Sequence, residues 1–211
     1  MKHFITTIAL QEHLSAISYR NIEGAEYLDN DREFTNPVLI PLKNLTERGE
    51  KIRITAILTN DENGRCERNF KTFKEEVEML RKEIGFEYDS IEEITVEYAE
   101  STMKHLNFFE ALIEHIHDGD ELTVDITYGN KPTPIVLQLA LTFVYLYKKN
   151  TVVKALTYGE FVHGPDKKGY IYDVSALFYM NSIMAEMTSA KPRDPLGFIK
   201  MLLGEGEKDN G

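Results

Sequence analysis

The sequence predicts an α/β domain whose mostly parallel sheet is covered by helices on both faces. Three observations carry that prediction. Apolar, β-branched stretches alternate with amphipathic stretches of helical length along most of the chain. The amphipathic stretches repeat their apolar residues three or four apart. One strand candidate, residues 51–59, turns from alternating to continuously apolar, as a strand buried on both faces does. Strands and helices in this order build βαβ units, and a Rossmann-like three-layer sandwich follows.

In chain order, residues 2–9 alternate and read as a first strand. Residues 11–50 are the least legible part, with turn chemistry at Tyr19-Arg20-Asn21, Asn30-Asp31 and Asn36-Pro37 around a short strand expected at 38–42. Residues 51–59 form a strand, broken by Asn60-Asp61-Glu62-Asn63-Gly64. Phe70, Phe73, Val77, Leu80 and Ile84 define a helix that stops at Gly85. A strand over 91–99 follows, then a helix capped by Ser101 or Thr102 with Leu106, Phe109, Ile113 and Ile116 expected inward and Gly119 as its stop. Residues 121–127 form a strand, 133–147 an apolar helix, 151–157 a strand and 170–174 a short strand, before a helix over 175–186. Residues 1–188 thus read as one ligand-binding domain. Residues 189–211 read as a linker (Ser189 to Pro195), a short helix near 198–203 and a polar tail.

Composition narrows the function classes. The formal charge of −11 disfavours long nucleic acid, whose affinity comes from many Lys and Arg contacts to phosphate. A small anion needs only a local cluster of donors. The one cysteine, Cys66, excludes a disulfide framework and fits a reducing, cytoplasmic compartment. The N-terminus is too polar for a secretory leader. The most apolar stretch, 135–147, is well short of the ~20 residues of a membrane span, so no membrane partner is expected.

The segment with chemical content is Asp125-Ile126-Thr127-Tyr128-Gly129-Asn130-Lys131, followed by Pro132, Thr133 and Pro134. A strand runs into a glycine turn, and a helix opens with prolines where a missing N–H does no harm. Free amides and the positive end of the helix dipole at such a place form an anion site. Gly129 allows close backbone approach, Lys131 adds charge, and Thr127, Asn130 and Thr133 add neutral donors. A turn whose Gly, Asn and Pro serve geometry alone would use the same residue types. The spacing matches neither a dinucleotide fingerprint nor a P-loop.

Asp125-Ile126-Thr127-Tyr128-Gly129 resembles the D-x-T-H-G motif of CRISPR-associated proteins with a CARF (CRISPR-associated Rossmann fold) domain. The flanks agree: an acidic helix ending in Asp118-Gly119-Asp120 before it, a proline-started apolar helix after it, then Tyr158-Gly159-Glu160 and Tyr170-Ile171-Tyr172-Asp173-Val174. Tyr128 stands where the motif has His, and Asn130-Lys131 where it has an aromatic-Arg pair. The resemblance covers residues 91–186 well and the first strand loosely.

The resemblance implies a homodimer that binds cyclic oligoadenylate across its two-fold axis in type III CRISPR antiviral signalling. Carried over by position, the ligand-binding residues are Thr6, Thr7 and Gln11 from the first loop, and Thr127, Tyr128, Gly129, Asn130, Lys131 and Thr133 from the second. Tyr158 and Gly159 shape the base pocket, and Asp125 braces the turn. No Arg is followed by a His at the spacing of a HEPN ribonuclease, and no Glu-x-Lys of a restriction-type nuclease occurs. The chain therefore reads as a stand-alone CARF protein, or as one whose effector lies elsewhere. Its output is either sensing or metal-independent ring cleavage with Lys131 and Thr133 as the catalytic pair, with no cofactor or metal. The alternative is a Rossmann-like enzyme acting on a small phosphorylated metabolite or nucleotide.

Other candidates weigh less. His115 and His117 cannot share a helix face, so no metal site is assigned. Arg65 and Arg68 beside Cys66 are expected to lower its pKa, but no partner His marks a nucleophile. Asp166-Lys167-Lys168-Gly169 reads as a hairpin tip.

Overall fold

The computed structural model describes residues 1–22, 24–97, 101–162, 168–190 and 192–202. Its strands are β1 (Lys2–Thr7), β2 (Ile17–Asn21), β3 (Glu33–Phe34), β4 (Arg53–Asn60), β5 (Ile91–Glu97), β6 (Glu121–Asp125), β7 (Val152–Val162) and β8 (Lys168–Asp173). Its helices are α1 (Leu39–Leu45), α2 (Arg65–Ile84), α3 (Thr102–His115), α4 (Thr133–Tyr147), α5 (Ser175–Ala190) and α6 (Pro195–Leu202). The strands form one sheet in the order β3-β2-β8-β7-β6-β1-β4-β5. Pairing is parallel except for β2 with β3 and β7 with β8. This is the Rossmann-like three-layer sandwich expected.

Alternation along β1 sorts the two faces. Phe4 and Ile8 join a core with α1 and α2, in which Phe73, Val77 and Leu80 are each at most 1% exposed. Each such side chain contributes roughly 1.5–3 kcal/mol by leaving water. Ile5 points the other way, into a core built with Phe108 and Leu112 of α3, Leu137, Leu141 and Val144 of α4, and Phe178 of α5. Helix α2 ends as expected: Gly85 adopts a left-handed φ of 89° and donates its N–H to Arg81 O at 2.8 Å. Ser101 caps α3, its hydroxyl accepting the Lys104 amide at 3.3 Å. No described helix is long and apolar enough to cross a membrane.

Several expectations change. Residues 38–42 are not a strand but the start of α1. Asn36 Oδ1 accepts the Val38 amide at 3.1 Å, and Pro41 sits in the first turn, where its missing N–H breaks no bond. A short apolar run carries no period that separates the two states. Residues 11–50 supply two further strands, β2 and β3, which extend the sheet past β8. On α3 the most buried residues are Phe108 and Leu112, while Leu106 is 48% exposed. That helix carries two apolar stripes, one on the sheet and one beside α4. Strand β7 runs on to Val162 in an antiparallel pair with β8, and Asp166 and Lys167 of the expected tip lie outside the described residues. Residues 98 and 99 of the strand expected at 91–99 also lie outside them. Gly119 (φ 79°) turns the chain beyond α3, which already stops at His115.

Candidate functional site

Strand β1 is the pivot of the sheet. After an excursion through β2 and β3 at the far edge, the chain adds β4 and then β5 on one side of β1, and β6 on the other. The carboxyl ends of β1 and β6 therefore flank the topological switch point, where open α/β sheets bind ligands. Thr6 stands beside Asp125 in register, and Asp125 beside Thr157. The two loops expected to hold a ligand start from neighbouring strands at this point.

The turn after β6 is braced from below, as expected of Asp125. Its carboxylate is fully buried and accepts the Thr127 amide (3.1 Å) and the hydroxyls of Thr127 and Thr157 (3.0 Å each). Burial pushes the Asp125 carboxyl up to about 6, against the pull of those three hydrogen bonds. Thr127 Oγ1 in turn accepts the Gly159 amide at 2.7 Å, tying the turn to β7.

Gly129 has a φ of 112°, and a Cβ there would lie 3.0–3.1 Å from the Thr133 side chain. Both the conformation and the close approach require glycine. Thr133 is accordingly buried beneath the turn, 8% exposed. The first turn of α4 has little donor capacity to spare, contrary to the expectation of free amides there. Thr133 N donates to Asn130 O at 2.9 Å, Ile135 N and Val136 N both donate to Pro132 O at 3.0 Å, and Pro134 has no N–H. What the turn presents outward is Gly129 and Lys131, both exposed, with Asn130 half-buried between them.

Thr6 and Thr7 are fully buried. The Thr6 hydroxyl donates to Asn36 Oδ1 at 3.1 Å, so the segment leading into α1 lies across the end of β1. Gln11 is exposed, and its loop is pinned through Asn69 Nδ2, which donates to Ala9 O (2.8 Å) and Gln11 O (2.9 Å).

Tyr128 is engaged rather than open. Its hydroxyl donates to Thr35 O at 3.0 Å and receives the Tyr19 hydroxyl. Burial pushes its phenol up to about 12. Thr35 then donates its amide (3.0 Å) and its hydroxyl to Glu76, whose carboxyl burial raises. Glycines make room for this: a Cβ on Gly159 would lie 2.6 Å from Pro37 Cγ and 3.1 Å from Tyr19 Cε1, and one on Gly169 2.9 Å from the Tyr19 ring. Gly159 thus serves the packing of Tyr19. Tyr158, on the opposite face of β7, is 40% exposed. Thr35 and Glu76 gave no signal in the sequence, and Tyr19 and Asn36 signalled only turns; Tyr19 lies instead within strand β2.

Cys66 also departs from expectation. Arg65 is paired with Asp61 at 3.1 Å and Arg68 donates to Asn63 O, while the buried thiol accepts the Thr59 amide at 3.2 Å. Burial pushes the Cys66 thiol up, not down.

No protein-family model matches the sequence, and no curated protein matches it.

Proposed function

We propose that this chain binds cyclic oligoadenylate at the turn after β6, as a homodimeric CARF-type protein of type III CRISPR antiviral signalling in the cytoplasm. The observation that carries the reading is the meeting of the β1 and β6 loops at the switch point of a Rossmann-like sheet. Exposed Lys131, beside Gly129 at the positive end of the α4 dipole, suits a phosphate. Helix α4 carries no charged residue, and Leu139, Leu146 and Tyr147 lie exposed with Leu106 of α3. On a chain of net charge −11, an uncharged apolar face is where a second copy meets least repulsion. The output is sensing of the messenger or its cleavage, Lys131 stabilising charge that develops on the phosphate and Thr133 supporting the turn.

Calorimetric titration with cyclic tetra- and hexa-adenylate tests this. Wild type should bind one of them, and Lys131→Ala should weaken binding about tenfold, the scale of one hydrogen bond to a charged group. The unfolding midpoint should not move, because Lys131 is exposed. Linear products would make the protein a ring nuclease, and intact ligand a sensor. Binding of a mononucleotide or phosphorylated metabolite with neither ring bound would replace this reading with the small-substrate enzyme.

A further inference from the structure

The two edges of the sheet end differently. At one edge β3 is only two residues long, and the segment after it is tied to Glu76 of α2 through Thr35. At the other edge β5 runs for seven residues and pairs, in parallel and throughout its length, with β4 alone. Alternate residues of a parallel strand turn their N–H and C=O groups to opposite sides. Every second residue of β5 therefore aims its backbone groups away from β4, and no strand among the described residues pairs with them. Natural sheets blunt an edge by shortening it, or charge it against self-pairing. Here β3 takes the first course and β5 the second, with Glu92, Glu93 and Glu97 and no lysine or arginine.

A hollow lies on each face of β5. On the α3 side, one of about 140 Å³ is lined by Ile94, Val96, Phe108 and Ala111, with the paired Glu97 and Lys104 beside them. On the α2 side, one of about 500 Å³ is lined by Lys74, Glu78, Arg81, Tyr88, Ile91 and Glu93. Most of its charges are already matched. Arg81 pairs with Glu78 at 3.0 Å, and Lys74 Nζ sits 4.2 Å from the centre of the Phe70 ring. Exposed Glu93 has no cation partner among the described residues. Side chains of an added strand alternate between its faces, so successive residues would enter the two hollows in turn.

We infer that the free edge of β5 is a docking strand for an extended peptide segment in which basic and small apolar residues alternate. The open backbone supplies the hydrogen bonds, and the glutamates select the occupant. Glu93 pairs with a lysine or arginine of the guest, and the hollow at Ile94 and Phe108 seats its apolar residue. A second copy is disfavoured, because pairing β5 with itself sets glutamates against glutamates on chains of net charge −11. Since β5 lies two places from β1 in the sheet, docking there is independent of what binds at the turn after β6.

The test is titration of a fluorescent heptapeptide of alternating lysine and valine into the full chain, followed by anisotropy. It should bind wild type, and the matching glutamate–valine peptide should not. An added strand donates the N–H groups of alternate residues only, so N-methylation separates strand pairing from charge attraction. Of two peptides, one methylated at every valine and one at every lysine, one should keep its affinity and the other lose at least about tenfold. Glu93→Lys should weaken the lysine–valine peptide about fivefold, by turning an attraction into a repulsion. Its unfolding midpoint should not move, because Glu93 is exposed. Amide exchange over residues 91–97 should slow when the peptide binds. No binding of the lysine–valine peptide overturns the docking strand, and so do equal affinities of the two methylated peptides. Slowed exchange confined to other residues overturns it too. Unchanged affinity in Glu93→Lys, or equal binding of the glutamate–valine peptide, overturns the basic occupant. A dimer of the free protein with residues 91–97 already protected would assign the edge to a second copy instead.

Discussion

Strand β6 has a buried aspartate at each end, and the two are treated oppositely. Asp120, just before the strand, lies at the amino edge of the sheet among cations. Arg53 Nη1 is 2.8 Å away and the chain's ammonium group 3.8 Å. His3 Nδ1 stands 3.3 Å away without an aligned hydrogen bond, and burial lowers the pKa of that imidazole. Burial pushes the Asp120 carboxyl up, but His3, the His117 amide and Arg53 together hold it below the ordinary carboxylate range. Asp125, at the carboxyl end, is braced by two hydroxyls and an amide, and burial wins. The comparison teaches that burial alone does not decide a carboxylate's state; a paired cation does. One end of the strand is closed by charge pairing. At the other, the lysine of the turn is left exposed.

The largest effect should come from breaking the amino end. Asp120→Ala breaks the buried pair with Arg53 and the bond to the His117 amide, and removing one partner of a buried pair costs about 3–5 kcal/mol. Glu92, 3.4 Å from Arg53 Nε, should hold the loss at the lower end. Denaturant unfolding at neutral pH measures it, and a loss below ~1 kcal/mol would show that the cluster is ornamental.

Asp125→Asn sharpens the contrast through pH. The carboxyl moves from 3.8 in the unfolded chain to about 6 in the fold, so the folded state holds its proton more tightly. Its contribution is fully present below about pH 4 and is lost as pH rises through about 6, roughly 3 kcal/mol in all. Asparagine does not titrate. The stability of wild type relative to Asp125→Asn should therefore fall over that window, as followed by unfolding across the pH range. A difference independent of pH sinks the assignment. Asp120 works in the opposite sense: its contribution is present above its ordinary pKa and fades as pH falls.

Smaller still is Tyr128→Phe, which removes only the hydroxyl between Tyr19 and Thr35. About 1 kcal/mol should be lost, with faster amide exchange over residues 33–38. Unchanged protection there would mean that the segment is held by packing alone.

Much of the fold was legible because it is written at short range. The helical period of Phe70, Phe73, Val77 and Leu80 and the glycine stop at Gly85 need only local spacing, and both stand in α2. The site was legible as a place and as a set of residue types: a glycine turn at the end of β6, with Asp125 beneath it. Its wiring was not. Thr6 and Thr7 were expected as loop donors by position in the resembled family, but Asn36 covers the first and both are buried. Residues 38–42 read as a strand because five apolar residues show no period.

The sequence by itself determined the alternation of strands and helices, the parallel sheet that follows from it, and the glycine at 129 that the turn demands. Only the tertiary structure decided that 38–42 coil into a helix, that Phe108 rather than Leu106 faces the sheet, and that Tyr128 spends its hydroxyl on Thr35, 93 residues away. Local patterns follow from a residue's own backbone and its near neighbours. Which buried polar group meets which partner depends on how distant segments pack, and no spacing along the chain encodes that.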